Sequence, residues 1–467
     1  MADSVVTLSL ITALIAAASL WLSPRAKNTA SFYSGHNENG AAPGILALTF
    51  SQVTTWIFAR SIMNAVILGY FYGIAGALSY TAYYLSFLTG AWIISSLRFR
   101  HGFASIQSFL HARFGSAGTS SYNFVVGLRL LSEVFANLLV IGLIFGMDGS
   151  AAYIASILIV GCITLGYSLL GGLNASIRTD MFQMSLFGVI LAGLMLIAIS
   201  TGSFDVNTII GSSGEAANAG WVLLAVAFLQ VWSYPMHDPV MMDRGFIADR
   251  RTTMASFYNA AWISGLCILA AGILGVWAGL QKIEGEDFVA SFARLVGDWP
   301  MLLFNIALVV SCMSTLDSTF SSAAKLSIID MRAGELTIAN GRIAMVLFLV
   351  GGLAMLFLGS KDLFSAVAVS GTASMFLAPV VFFSLWGGRD NTPVWSYLTS
   401  FFASMTAATL YFTESSGYTG LISSLTGYSH KYSILLILSA ACLVIGCGAF
   451  VAGMLTGGSR GAVPAKA

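Results

Sequence analysis

Long apolar stretches recur along the whole chain, and few features restrict a fold more. Thirteen can be drawn, at residues 5–22, 45–70, 74–97, 124–146, 153–170, 181–199, 221–242, 257–280, 301–326, 343–358, 363–386, 394–412 and 432–455. An α-helix needs about 20 apolar residues to cross a bilayer, whereas a barrel strand needs only about 9–11, so these lengths predict helices. Only 9% of the residues are charged and 57% are hydrophobic. Soluble domains carry about 25% charged residues, so the expectation is an all-α polytopic membrane protein of about thirteen transmembrane helices. The first stretch, 5–22, lacks the basic flank of a signal peptide and reads as a span.

Several classes of function are disfavoured at once. A net charge of +1 suggests no nucleic-acid partner. No GxxxxGK[ST] motif occurs, so hydrolysis of ATP within this chain is not expected. Cys162, Cys267, Cys312, Cys442 and Cys447 lie in apolar stretches without CxxC spacing and read as buried thiols. No nucleophile–base pair or metal cluster points to an enzyme. The composition calls for lipid around the protein and for no obligate protein partner.

Basic residues suggest an orientation. If the stretches alternate and the N-terminus lies outside, fourteen of the 21 Lys and Arg residues fall on the inner side, among them Arg98, Arg113, Arg178, Arg244, Arg332 and Arg389. Lys282, Arg294, Lys361 and Lys431 fall outside, and Arg60, Arg129 and Lys325 lie within or at the edge of spans. That bias predicts a cytoplasmic C-terminus in an inner or plasma membrane. Stretches two to six and seven to eleven then form two sets of five. Five is odd, so the second set enters from the opposite face, as in inverted-repeat transporters. The expected units are a peripheral helix (1–30), two repeats (31–200 and 201–390), and two further peripheral helices with a tail (391–467).

Corresponding stretches of the two sets are disturbed by polar groups. The second carries Ser51, Gln52, Thr54, Thr55 and Arg60; the seventh carries Tyr234, Pro235, Met236, His237, Asp238 and Pro239. Paired interruptions of this kind point to a site near the bilayer midplane. In the ninth stretch Ser311, Ser314, Thr315 and Ser318 recur at i, i+3, i+4 and i+7, with Asp317 beside them. Hydroxyls and a carboxylate offer oxygen ligands, which suit a small hard cation such as sodium. Hydroxyls alone also serve as interhelical glue, and the intramembrane carboxylate favours function.

Four stretches resemble the sodium:solute symporter family. They are SIQSFLHARFG from Ser105 to Gly115, GGLNASIRTDMFQ from Gly171 to Gln183, MSTLDS from Met313 to Ser318, and Arg342 opening the tenth stretch. The likeness covers roughly residues 32–386. It implies a LeuT-type core of two inverted five-helix repeats plus three peripheral helices. It also implies a sodium ion held by the carbonyls of Thr54, Ile57 and Ser311 with the side chains of Ser314 and Thr315. Some members hold a second sodium at positions matching Asp180, Ser314, Asp317 and Ser318. Where those members have serine this chain has Asp317, so either a second sodium or a proton is expected between Asp180 and Asp317.

The residues matching the family's substrate positions are Arg60, Ser61, His237 and Asp238. Arg60 could recognise a substrate carboxylate with its planar fork, or could pair with Asp238. Sugar-transporting relatives carry acidic and amide groups there, so a carboxylate or an amino-acid-like solute is the better expectation. Arg129 and Glu133 are four apart and read as a local i,i+4 pair. His237 reads as a neutral, hydrogen-bonded residue beside the proline kink, with a proton relay as the alternative. The overall expectation is a sodium-coupled symporter for a small organic solute. A proton-coupled carrier of the same fold and a symporter-like membrane sensor are the rivals.

Overall fold

In a computed structural model, residues 2–214, 218–358 and 369–456 are described, and among them there is helix but no strand. Helix α1 (Ala2–Leu22) precedes an interrupted pair, α2 (Ile45–Trp56) and α3 (Ala59–Arg100), followed by α4 (Ile106–Phe145) and α5 (Ala151–Ser200). The second interrupted pair is α6 (Ala219–Gln230) and α7 (Pro239–Arg244). Then come α8 (Arg250–Leu280), α9 (Asp298–Lys325), α10 (Ile338–Leu358), α11 (Val369–Trp386), α12 (Val394–Ser415) and α13 (Lys431–Thr456). Among the described residues nine helical runs are long and apolar enough to cross a membrane. The eleventh predicted stretch begins at residue 363, outside the described residues.

Where the pattern suggested loops, three helical runs turn on single glycines. Gly73 in α3, Gly115 in α4 and Gly172 in α5 have φ of 64°, 64° and 55°. Residues with a Cβ rarely enter that region, so each glycine lets one helix hand over to the next with almost no linker. Two predicted stretches, 153–170 and 181–199, therefore lie end to end within α5. The chain before α4 is shaped by Ser105, whose hydroxyl caps the helix by accepting from Ser108 N at 3.0 Å.

The core forms where small residues let helices close up. The longest interface joins α3 and α8. A Cβ on Gly275 would lie 2.0 Å from the Val66 carbonyl oxygen, and one on Gly69 2.2 Å from that of Gly272. In lipid the attraction between apolar surfaces is weak, so close backbone contact supplies much of the association. Gly275→Ala is expected to cost about 1–3 kcal/mol through overpacking against backbone that cannot give way. A lowered melting temperature in detergent checks this, and an unchanged one would mean that α8 can shift. Away from this core, Leu14, Trp21, Val189, Trp262, Leu266 and Leu455 are exposed, forming an apolar coat suited to lipid.

Both breaks lie at the centre of the bundle. Trp56 ends α2, and Ile57 departs from helix at φ −86°, ψ 64° without any proline. Side chains from elsewhere satisfy the freed carbonyls: Tyr84 OH donates to the Trp56 oxygen at 2.6 Å, and Ser311 Oγ donates to that of Ile57. In the second break, Pro235 sits in a short 3-10 turn, Tyr234–His237. Asp238 then caps α7 by accepting from Met241 N at 3.1 Å, with Pro239 opening the helix where its missing N–H costs nothing.

Candidate functional site

The α2/α3 break faces α9. Thr315 Oγ1 lies 3.4 Å from the Thr54 oxygen and 3.0 Å from that of Ser311, and the Ser311 hydroxyl meets the Ile57 oxygen. Thr54, Ile57, Ser311 and Thr315 therefore converge as carbonyl and hydroxyl oxygens from two helices. Such a set supplies neutral hard ligands and fits a monovalent cation better than a transition metal. Ser314 is turned differently, donating to Asp180 Oδ1 on α5 at 2.5 Å. It links this junction to a second polar cluster.

That cluster contains Asp180, Asp317 and Ser318, joined by Ser51 and by two residues not singled out from the sequence, Ser176 and Thr179. Ser176 Oγ lies 2.8 Å from Asp317 Oδ1, 2.7 Å from Ser318 Oγ and 3.4 Å from Asp180 Oδ2. Ser51 donates to Asp180 Oδ2 at 2.6 Å, and Thr179 Oγ1 lies 2.8 Å from Asp317 Oδ2. Arg244, counted above among the basic residues of the inner side, is wholly buried at the end of α7. Its Nη2 donates to Ser318 Oγ at 2.8 Å and stands 3.9 Å from Asp180 Oδ2. No local pattern marks Arg244, because it follows an apolar run at what looks like a span boundary.

A third group occupies the space between the breaks. Arg129 donates from Nη2 to Asp238 Oδ2 at 3.0 Å and also pairs with Glu133 through Nη1. Arg60 Nη2 lies 3.4 Å from Glu133 Oε2, so the partner of Arg60 is Glu133 rather than Asp238. Arg129 and Glu133 do form the expected i,i+4 pair, but they are buried and tie α4 to both breaks. The spacing predicts the pair but cannot reveal which helices stand opposite it. Arg60 stacks over the Phe58 ring at 4.9 Å, and its Nε and Nη1 have no hydrogen-bond partner among the described residues.

Two cavities flank this group. One, of about 20 Å³, is lined by Trp56, Phe58, Tyr80, Tyr83, Tyr84 and Tyr234, with Ser61 and Arg129. The other, about 10 Å³, is lined by Thr55, Thr315, Glu133, Asp238 and Arg129 among others. Arg129 thus lies on both walls. Ser61 accepts from Tyr80 OH at 3.1 Å. His237 is placed apart from both cavities. Its Nδ1 lies 2.6 Å from the Tyr234 carbonyl oxygen and so carries a proton, and its Nε2 lies 3.0 Å from Ser370 Oγ. It is hydrogen-bonded at both ring nitrogens, as expected from its place beside the prolines.

Comparison with solved structures places this arrangement. A sodium-coupled sialic acid symporter, in a substrate-bound outward-open state, superposes with a TM-score of 0.72 over 98% of this chain and 99% of its own, at 13% identity. The chain has the LeuT fold. Mhp1, a nucleobase-cation-symport-1 family transporter, gives 0.55 over 91% of this chain and 95% of its own at 12% identity. MhsT in complex with L-phenylalanine gives 0.55 over 88% and 98%, also at 12% identity. The structures that share this LeuT fold are transporters, not enzymes, and the chain is a multi-pass membrane protein. A Drosophila melanogaster protein described as a sodium-dependent multivitamin transporter is 26% identical over 167 residues. That match spans 35% of this chain and 27% of the fly protein, about a quarter of its length. No family model matches the chain.

Proposed function

We propose that this protein is a sodium-coupled symporter that imports a small organic carboxylate or amino-acid-like solute by alternating access. The observation that carries the reading is the α2/α3 break, where the Thr54 and Ile57 carbonyls meet only hydroxyls of Ser311 and Thr315. Sodium held there by Thr54, Ile57, Ser311 and Thr315, with Ser314 adjoining, bridges α2 and α9. An ion that joins two elements stabilises one of their arrangements and so biases the conformational equilibrium. The solute carboxylate goes to the open donors of Arg60, beside Ser61. Asp238 and Glu133 keep Arg129 in place beneath it.

The two breaks also favour the inverted-repeat division into residues 31–200 and 201–390, with 1–30 and 391–467 peripheral. The basic-residue bias favours an outside N-terminus and a cytoplasmic C-terminus.

A thermal-shift screen tests the function. Carboxylates, amino acids and neutral solutes are each applied with sodium and with potassium in its place. The cognate solute is expected to raise the melting temperature further in sodium than the two separate shifts sum to, since linkage is reciprocal. Equal shifts in sodium and potassium for every stabilising solute would remove sodium coupling. Stabilisation by neutral solutes alone would remove the carboxylate.

A further inference from the structure

The cluster around Asp180 and Asp317 holds a cation of its own. Arg244 donates from Nε to Ser51 Oγ at 3.2 Å, from Nη2 to Ser318 Oγ at 2.8 Å and Ser176 Oγ at 3.3 Å, and from Nη1 to the Val240 oxygen at 2.9 Å. Three hydroxyls thus point lone pairs at the guanidinium. Each has a single proton left to give. Ser51 gives it to Asp180 Oδ2 at 2.6 Å and Ser176 gives it to Asp317 Oδ1 at 2.8 Å, while Ser314 adds a donor to Asp180 Oδ1 at 2.5 Å. The hydroxyls relay Arg244 to the two carboxylates. The oxygens that a second sodium would draw on are already turned toward a positive charge, and the residues do not fit that ion.

Charge balance follows the same division. Asp180, 3.9 Å from Arg244 Nη2, is the carboxylate that the guanidinium neutralises. Nearby Asp243 is taken by Lys325, which also reaches Asp330 at 3.9 Å, and Ser322 donates to Asp243 at 2.8 Å. Among the described residues Asp317 has no cationic nitrogen within ion-pair distance. Its Oδ2 faces Thr179 Oγ1 at 2.8 Å, and that hydroxyl also lies 3.1 Å from the Ala175 carbonyl oxygen. A proton on Oδ2 can therefore be donated to Thr179 while Thr179 donates to Ala175, leaving every group satisfied.

We propose that this cluster is closed by the protein itself: Arg244 neutralises Asp180, Asp317 is held as the acid by Thr179, and no second sodium binds there. The proposal refines the symporter reading by assigning sodium to the α2/α9 junction alone. Its test does not depend on that junction. Purified full-length protein is titrated with radioactive sodium, and the ions bound per molecule are counted for wild type, Arg244→Gln and Asp317→Asn. Removing the guanidinium charge is expected to create a site, so Arg244→Gln binds one sodium more than wild type. Asp317→Asn, which mimics the neutral acid, is expected to leave the count unchanged.

Equal counts for wild type and Arg244→Gln would overturn the proposal, as would the loss of one ion in Asp317→Asn. Should Arg244→Gln fail to fold, the wild-type count decides: two ions overturn the proposal and one supports it. No sodium bound to wild type, with one bound to Arg244→Gln, would uphold this inference and defeat the symporter reading instead.

Discussion

Replacing Ser311 and Thr315 together by alanine is expected to abolish sodium-dependent stabilisation, weakening the apparent sodium affinity at least about 100-fold, or about 2.8 kcal/mol. Both hydroxyls meet carbonyls at the α2/α3 break, on Ile57 and Thr54. Alanine removes two ligands from one side of the ion and leaves carbonyls alone to compensate for its lost hydration. The fold should survive, because each hydroxyl contributes only about 1 kcal/mol net to stability. Ser185→Ala is a suitable control, since that hydroxyl is exposed and bonds only its own helix, at the Met181 oxygen. Melting temperatures measured against sodium concentration give the answer. A sodium response in the double variant equal to that of the control would exclude this junction as the ion site.

Glu133→Leu is expected to destabilise the protein by about 3–5 kcal/mol, the usual result of leaving buried charges without a partner. Glu133 sits between Arg60 and Arg129, all three buried, and its loss strands the Arg60 guanidinium with no acceptor within hydrogen-bond reach. Arg129 keeps Asp238 at 3.0 Å. Removing Arg60 as well, as Arg60→Met with Glu133→Leu, should therefore recover a large part of the loss. The two substitutions ought to couple by about 1–3 kcal/mol in a double-mutant cycle read by thermal denaturation. Additive effects would show that the Arg60–Glu133 contact is not maintained. A loss below about 0.5 kcal/mol for Glu133→Leu would show that water already reaches the pair.

Much of the site was legible one stretch at a time. The hydroxyl stripe from Ser311 to Ser318 follows from helical spacing, and Thr54 and Ile57 lie where polar residues interrupt an apolar run. The kink around Asp238 follows from two prolines, and the hydrogen-bonded place of His237 from its position beside them. The glycine corners were not legible as such. Gly73, Gly115 and Gly172 are three among 48 glycines, and only the positive φ of the folded backbone marks them. Arg244 and the wider reach of Arg129 and Glu133 escaped notice for another reason. Their partners are distant: Arg129 meets Asp238 at a separation of 109 residues, and Arg244 meets Ser51 across 193.

By itself the sequence determined that the chain is helical and built for lipid. A bilayer offers backbone groups no water, so stretches of this length and hydropathy have a single backbone solution. It also determined which helices carry polar groups and are interrupted. Only the tertiary structure decided which charges neutralise one another, because buried ion pairs join side chains from different helices and depend on how those helices are rotated and set against each other. In that packing Arg60 goes to Glu133 rather than Asp238, and Arg244 reaches the two carboxylates from the end of α7.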